Sequence, residues 1–572
     1  MSCVWAAKER IRLRKFDPDI AQLLAYELNL PLSLASVLAG RNLRDFESCK
    51  RFFRPQLAHT HDPFLFADME KACDRILSAI KSGEHITVYG DYDVDGVTST
   101  VLMVKVLRAL GAKCDYYLPN RLTEGYGVSS DSIKQIAQSE TTLLITVDCG
   151  ITAIDEVKQA SSLGIDTIIT DHHEPKETLP EALAIIDHKV PQCAYPDKTL
   201  AGVGVAFKLC QALGIKSGRG EELWVKHLDL VALGTAADIV PFTGENRTIA
   251  FLGFEQITNT ENVGLQALVD AQGLSGKKIS TGETVFQLAP CINAVGRLGD
   301  PSRGVKLLLS DDPAVAKIYA LELREANLER RALDRSVAEL AHKWVEENGD
   351  PDKDYSLVLG DKDWHVGVIG IVASKLVEKY HRPTILFSIG TDGVARGSGR
   401  SIPGFHLLDA LNECRDLLNS FGGHAAAAGM NIDQENIPLF REKFNSVVRD
   451  RLCEDDLVKQ VTADAEVSIA ALTPKFLRIV KQMAPFGPGN MRPVLFCRNV
   501  EHRYAPRVVG KNHLKLSLTS EGVVMDAIAF NFGERIDEVR SALSLGVAFS
   551  LEENTWNGKT SLQMNVKGID LR

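Results

Sequence analysis

The stretch HITVYGDYDVDGVTST, residues 85–100, decides how the chain is read. A β-branched, apolar run from Ile86 to Tyr89 stops at Gly90, and Asp91, Asp93 and Asp95 then follow at every second position. Carboxylates clustered so closely repel one another and resist losing water, so a positive charge is expected among them. A metal ion is the first candidate. The run D-Y-D-V-D-G fits the opening of a calcium-binding EF-hand loop. The twelfth position of that loop, which needs a bidentate Glu, is Leu102 here, and a strand pattern rather than a helix precedes it. Taken alone, the stretch could equally be a solvated acidic turn.

Its neighbours in the sequence argue otherwise. From about residue 70 to 300, short apolar runs alternate with amphipathic ones: 86–90 before VTSTVLMVKVLRALG, 143–148 before TAIDEVKQASSLG, then 165–171 leading to 183–188. Strand and helix in alternation predict a parallel sheet with crossover helices. Functional crevices of such sheets lie outside the carboxyl ends of the strands. Each predicted strand ends there in acid or imidazole: Asp91, Asp93 and Asp95, then Asp148, then Asp171, His172 and His173. Asp238, in LGTAADIVP, is read as a further strand-end acid. Singly, Asp148 suits a helix cap and either histidine a packed core. Their joint placement predicts one site. Carboxylates and imidazoles without thiolates favour Mg²⁺ or Mn²⁺. So many ligands exceed the needs of one ion, and a pair of ions suits phosphoryl transfer.

The bulk numbers permit this reading. The chain has 572 residues, a formal net charge of -10 and an ordinary soluble composition, 45% hydrophobic and 24% charged. The charge argues against non-specific coating of nucleic acid and leaves room for a local basic channel. Eleven cysteines occur singly, without a C-x-x-C pair, which suits reduced thiols and excludes a disulfide framework or zinc knuckle. MSCVWAAKERIRLRKF lacks the apolar core of a signal peptide, and there is no apolar run long enough to span a bilayer, so a cytoplasmic protein without membrane association is expected.

Further along, residues 310–348 predict one long helix with start and stop signals, bridging two lobes. SLVLGD, PTILFSI and VARGSG, interleaved with GVIGIVASKLVEKY, predict a second α/β lobe. Within it, GSGRS (397–401) and FGGHAAAAG (421–429) are read as glycine-rich loops able to approach a phosphate, with Arg400 and His424 embedded. The final stretch alternates apolar with polar residues, and Trp556-Asn557-Gly558 supplies a hairpin turn, so a small antiparallel barrel is expected. Between 475 and 515, nine basic residues face the single acid Glu501, with Phe476, Phe486, Phe496 and Tyr504 interleaved. A basic groove with aromatic platforms, here Phe476 and Tyr504, is how OB-folds hold single strands.

DYDVDG, VDCG, TDHHEP and TAADIVP resemble the four successive motifs of the DHH phosphoesterases, with the name-giving triplet at Asp171-His172-His173. The resemblance implies metal ligation by Asp93, Asp95, Asp148, His172, His173 and Asp238, with Asp91 close by, and attack on phosphorus by water held by two Mn²⁺ or Mg²⁺ ions. The glycine-rich segments resemble the DHHA1 domain that accompanies this family. PNRLTEGYGV, PCINAVGRLGD and DWHVGVIGIVASKL are similar to its bacterial single-strand-exonuclease branch, from about residue 40 onward. That implies phosphate-gripping roles for Arg121, Arg297, Ser398 and Arg400, and a contact from His424 to the scissile phosphate. The expected architecture is two α/β lobes joined by a long helix, then an all-β OB-fold barrel: a catalytic domain with N-terminal extension at 1–310, the connecting helix at 311–350, a DHHA1 domain at 351–455 and the barrel at 456–572. The implied activity is 5′→3′ degradation of single-stranded DNA to 5′-mononucleotides in repair and recombination. A monomer is expected, working with single-stranded-DNA-binding protein and repair helicases. The alternatives are a nanoRNase or cyclic-dinucleotide phosphodiesterase of the same family, which needs no basic barrel, and a non-catalytic DNA-binding scaffold, which would not keep a full ligand set.

Overall fold

A computed structural model describes residues 9–120, 124–125 and 127–571. The chain forms two compact units, one of Glu47–Leu328 with Gln482–Arg492, the other of the stretch up to Phe46 with Glu329–Lys481 and the residues from Pro493 onward. The N-terminal stretch, expected as an extension of the catalytic domain, therefore packs with the second unit. The cause is β1 (Glu9–Leu13), whose pairing partner lies about 450 residues downstream.

The first unit is built on β2 (His85–Gly90), β3 (Lys113–Tyr117), β4 (Thr141–Val147), β5 (Asp166–Thr170) and β6 (Ala184–Ile186). They form an all-parallel sheet in the order β3-β2-β4-β5-β6. Ile86, Val88, Leu143, Ile145 and Ile168 are fully buried, as strands covered on both faces require. The chain leaves β2 toward β3 on one side and returns at β4 on the other. That reversal opens a crevice at the carboxyl ends of β2 and β4. The helix Val94–Ala109 springs from the end of β2 and is buried along nearly its whole length against the helices Gly202–Lys216 and Leu228–Ala237. Such a helix cannot shift without disturbing the core.

The predicted long helix spans Pro313–Asn348, and the division between the units falls within it. In the second unit, β7 (Leu357–Asp361), β8 (Thr384–Ile389), β9 (Val394–Arg400), β10 (Ser420–Gly423) and β11 (Ala427–Asp433) form a sheet in the order β10-β11-β9-β8-β7, with only β7 and β8 parallel. VARGSG is borne out as a strand, β9, and the reading of its glycines as a phosphate-approaching loop is corrected. Gly397–Arg400 lies in β9, paired with strands on both sides, so its backbone serves the ladder rather than a phosphate. The glycines answer to packing: a Cβ on Gly397 would overlap the Phe387 ring, and one on Gly399 would sit 2.9 Å from Leu407 Cδ2. The alanine run leads into β11.

β12 (Lys459–Ala463) pairs in parallel with β1, with Ile11 opposite Val461. Arg14 bonds the mostly buried Asp464 at 2.7 Å. β13 (Ala465–Glu466) leads toward β14 (Leu495–Val509), β15 (His513–Ser520), β16 (Val523–Ala529), β17 (Leu545–Trp556) and β18 (Lys559–Leu571). β14 bends enough to pair with both β15 and β17, which closes the barrel, and β16 pairs with β18 in parallel. The helix Ile536–Ser541 sits between β16 and β17. A closed five-stranded barrel with this order is an OB-fold. Its last hairpin turns on Asn557 and Gly558, both at positive φ as a type I′ turn requires. Among the described residues no helix is long and apolar enough to cross a membrane.

Candidate metal centre

Asp93 ends the turn after β2 and caps the helix Val94–Ala109, accepting a hydrogen bond from Gly96 N at 3.1 Å. A Cβ on Gly96 would overlap the Asp91 carbonyl, so a glycine lets the turn fold back on itself. Asp95 lies in the first turn of that helix and is buried. Its two carboxylate oxygens accept from Gly202 N at 2.7 Å and Val203 N at 2.8 Å, the free amides at the start of the helix Gly202–Lys216. Asp148 follows β4 in a left-handed conformation, φ +61°, and its N–H extends the ladder to Thr170 O at 3.0 Å. Asp238, expected at a strand end, instead caps the carboxyl end of the helix Leu228–Ala237. The run LVALGTAA is as apolar as a buried strand; it is a helix because it lies buried between two others.

Asp171 takes a different part. Its carboxylate accepts from the backbone of Ile151, His172 and His173 and from His173 Nδ1 at 2.7 Å. Burial would raise its pKa; the His173 ring and these donors outweigh that and hold it below the usual carboxylate value. With Nδ1 committed to Asp171, His173 presents Nε2 as its ligand atom. His172 sits among three acids, its Nε2 3.1 Å from Asp148 Oδ1 and 4.0 Å from Asp95 Oδ2, its Nδ1 3.7 Å from Asp238 Oδ2.

The seven residues fall into three overlapping groups whose ligand atoms lie within 4.8 Å of one another: Asp148, His172 and His173; Asp95, His172 and Asp238; Asp91, Asp93 and Asp148. Such sharing suits two neighbouring divalent ions. Burial, reinforced by neighbouring carboxylates, pushes Asp95 and Asp148 well above the usual range and Asp238 up to about 7. Burial, then the neighbouring His173, drives His172 down to about 3, which keeps its ring neutral. Asp148 Oδ1 and His172 Nε2 are buried and close, yet neither makes a hydrogen bond of acceptable geometry. A cation between an anionic oxygen and a neutral imidazole satisfies both. The nearby Cys149 thiol, pushed far up by burial, turns away toward Tyr89 O, so the donors are oxygen and nitrogen, as Mn²⁺ or Mg²⁺ prefers.

Three stretches match family models: the DHH family, N-terminal domain, at residues 85–235, the DHHA1 domain at 353–450 and the RecJ OB domain at 463–568. The single-stranded-DNA-specific exonuclease RecJ of Bacillus subtilis is 39% identical over 98% of this chain and 71% of its own length. That of Escherichia coli is 35% identical over 98% of this chain and 99% of its own. The chain belongs to the RecJ family. The crystal structure of Thermus thermophilus RecJ in complex with Mn²⁺ superposes with a TM-score of 0.84 at 29% identity, covering 99% of this chain and 80% of that one.

The remaining site residues expected from sequence are spread over both units. Arg121 lies outside the described residues. Arg297 is half-buried near the end of the helix Ala289–Leu298, where Gly296 packs against the backbone of Tyr92 between two of the aspartates. In the second unit, Arg400 bonds Ser398 Oγ at 3.1 Å, beside the glycine face of the helix Val366–Tyr380 at Gly370. His424 is exposed in the turn between β10 and β11. Tyr504 is 68% exposed on β14, with Arg503 near its ring. Phe476 is a correction. It is 2% exposed, inside the apolar face of the helix Pro474–Gln482, and offers no platform to a base. Its spacing among basic residues follows that helix rather than a groove. Basic residues of this stretch also face acids of their own unit, Lys481 with Glu553, Arg498 with Glu466 and Lys515 with Asp526. Sequence reasoning missed Gly202, where a Cβ would overlap Asp148 Oδ1. The glycine pair at Gly202 and Gly204, opening a helix in an otherwise apolar run, was the available signal.

Proposed function

We propose that this chain is a single-stranded-DNA-specific 5′→3′ exonuclease that releases 5′-mononucleotides, using two Mn²⁺ or Mg²⁺ ions, in DNA repair and recombination. The observation that carries this reading is the convergence of Asp91, Asp93, Asp95, Asp148, His172, His173 and Asp238 at one crevice of a RecJ-family fold. Bound ions would supply a nucleophilic water at neutral pH and charge stabilisation for the phosphorane-like transition state. The protein's own contribution is placement. Asp95 is fixed by two helix amides, His173 by Asp171, and Asp148 by its ladder bond to Thr170. Neutral His172 and the carboxylates present lone pairs into a largely dehydrated pocket, where electrostatic effects are strong.

Arg297, Ser398 and Arg400, with Arg121, are assigned to the substrate phosphates and His424 to the scissile one. Guanidinium groups suit bidentate phosphate contacts. Tyr504 and the basic residues about it are assigned to the strand on the barrel, where stacking tolerates any sequence. The division of labour is a catalytic domain within 1–310, whose stretch up to Phe46 packs with the other unit, connecting helix 311–350, DHHA1 domain 351–455 and OB barrel 456–572. A cytoplasmic monomer recruited by single-stranded-DNA-binding protein and repair helicases completes the proposal.

The test is a 5′- or 3′-labelled oligonucleotide incubated with the full chain and Mn²⁺ or chelator, the products sized over time. Mononucleotides released progressively from the 5′ end of a long single strand, with blunt duplex spared and activity abolished by chelation, are expected. Activity confined to di- and trinucleotides would contradict it.

A further inference from the structure

Residues Gln482–Arg492 run from the end of the helix Pro474–Gln482 toward β14 and belong to the catalytic unit, while the sequence on either side belongs to the other. The segment reads QMAPFGPGNMR. It is folded tightly on itself: Gly487 and Asn490 exchange backbone hydrogen bonds, and the buried Asn490 side chain donates to Met483 O at 2.9 Å and Pro485 O at 2.7 Å. Arg247, 5% exposed, clamps it. This guanidinium lies 3.7 Å over the Phe52 ring and donates to Phe52 O, to Ala484 O at 3.0 Å and to Pro485 O at 3.3 Å.

The surface under the segment is the chain that leaves Asp238. Phe242 N donates to Pro488 O at 2.6 Å. A Cβ on Gly487 would come within 2.8 Å of the Phe242 ring, and one on Gly489 within 3.1 Å of Thr243. From the other side Asn246, fully buried one residue before Arg247, donates to Pro241 O at 3.1 Å and Thr199 O at 2.6 Å. Pro241–Thr243 is thus held on two sides. Between it and Asp238 stands Ile239, at φ +63° and 64% exposed. A β-branched residue in that conformation is strained and persists only when its surroundings impose it. Ile239 has little packing to impose it; the clamped residues that follow do.

We infer that the segment Met483–Asn490, gripped by Arg247, is a positioning element for Asp238, so that sequence from outside the catalytic domain sets one ligand of the metal centre. The inference rests on the reading of Asp238 as a ligand. In the full-length protein, Arg247→Gln and Gly487→Ala should each weaken Mn²⁺ binding by about tenfold, as loss of outer support around a ligand does. They should lower kcat while leaving KM for an oligonucleotide within about twofold, since substrate contacts are untouched. Arg247→Lys, which keeps charge and some donors, should recover part of the loss. Calorimetric titration with Mn²⁺ gives the readout independent of activity. Asp238→Ala in the same titration separates the two readings: if it leaves binding intact, the ligand assignment fails; if it weakens binding while folded Arg247→Gln and Gly487→Ala do not, the positioning role alone fails. Should both variants misfold, amide exchange on the wild-type chain decides. Mn²⁺ is expected to slow exchange at Gly487 and Asn490 together with Asp238–Phe242, and slowing at the latter alone would overturn the inference.

Discussion

Asp148 combines a left-handed backbone, which Asp tolerates better than most residues, with a buried carboxylate in contact with His172. Asp148→Ala should cost about 4 kcal/mol of transition-state stabilisation, roughly 10³ in rate, in a nuclease assay with Mn²⁺ at saturating substrate. Gly202→Ala is a sharper probe, because its methyl would enter the space of Asp148 Oδ1 without adding or removing a charge. Mn²⁺ affinity should fall by at least about tenfold with the circular dichroism spectrum preserved. At this scale the sequence was informative where chemistry was unusual. Three aspartates at alternate positions and a paired histidine have few structural uses. The glycine pair hints at a close approach but not at what approaches, because the role of Gly202 is the absence of a side chain beside a residue 54 positions earlier. Phe476 misled because aromatic-among-basic describes an amphipathic helix as well as a binding groove.

Among elements, four strands of the parallel sheet were legible from apolar runs, while the edge strand β3, KCDYY with only Cys114 buried, carries no such run; Asn557-Gly558 announced its hairpin. Asp238 was assigned to the wrong kind of element because a helix buried on all sides has no polar face to reveal its period. VARGSG reads as a strand and is one, β9; the phosphate-loop reading of its glycines fails because sequence does not show what will lie over them. The barrel offers a direct comparison. Tyr504→Ala should weaken single-strand binding by about 1–3 kcal/mol without changing stability, as loss of one stacking ring does. Phe476→Ala should instead destabilise the fold by about 3–5 kcal/mol. Fluorescence anisotropy with a labelled oligonucleotide and thermal denaturation distinguish the two.

For the whole molecule, the raised carboxylates of the metal centre make stability depend on both pH and metal. Asp95, Asp148 and Asp238 retain protons in the folded chain that the unfolded chain releases above about pH 4. With metal chelated, the folded state binds more protons, so stability should fall as pH rises from about 4 toward 7. Mn²⁺ needs the deprotonated ligands, so its uptake near pH 6 should release protons and tighten as pH rises. Melting temperatures with chelator across that range, and Mn²⁺ binding heats in buffers of different ionisation enthalpy, check both signs.

The partnership of β1 with β12 carries a consequence for biosynthesis. At roughly 5–20 residues per second, a ribosome needs on the order of 20–90 s to travel from one strand to the other. Throughout that interval the nascent amino-terminal ribbon has no mate, and its open hydrogen-bonding edge is available to any other extended peptide. A chaperone that shelters the emerging terminus, or a solubility tag fused there, would act on this waiting period rather than on the finished enzyme.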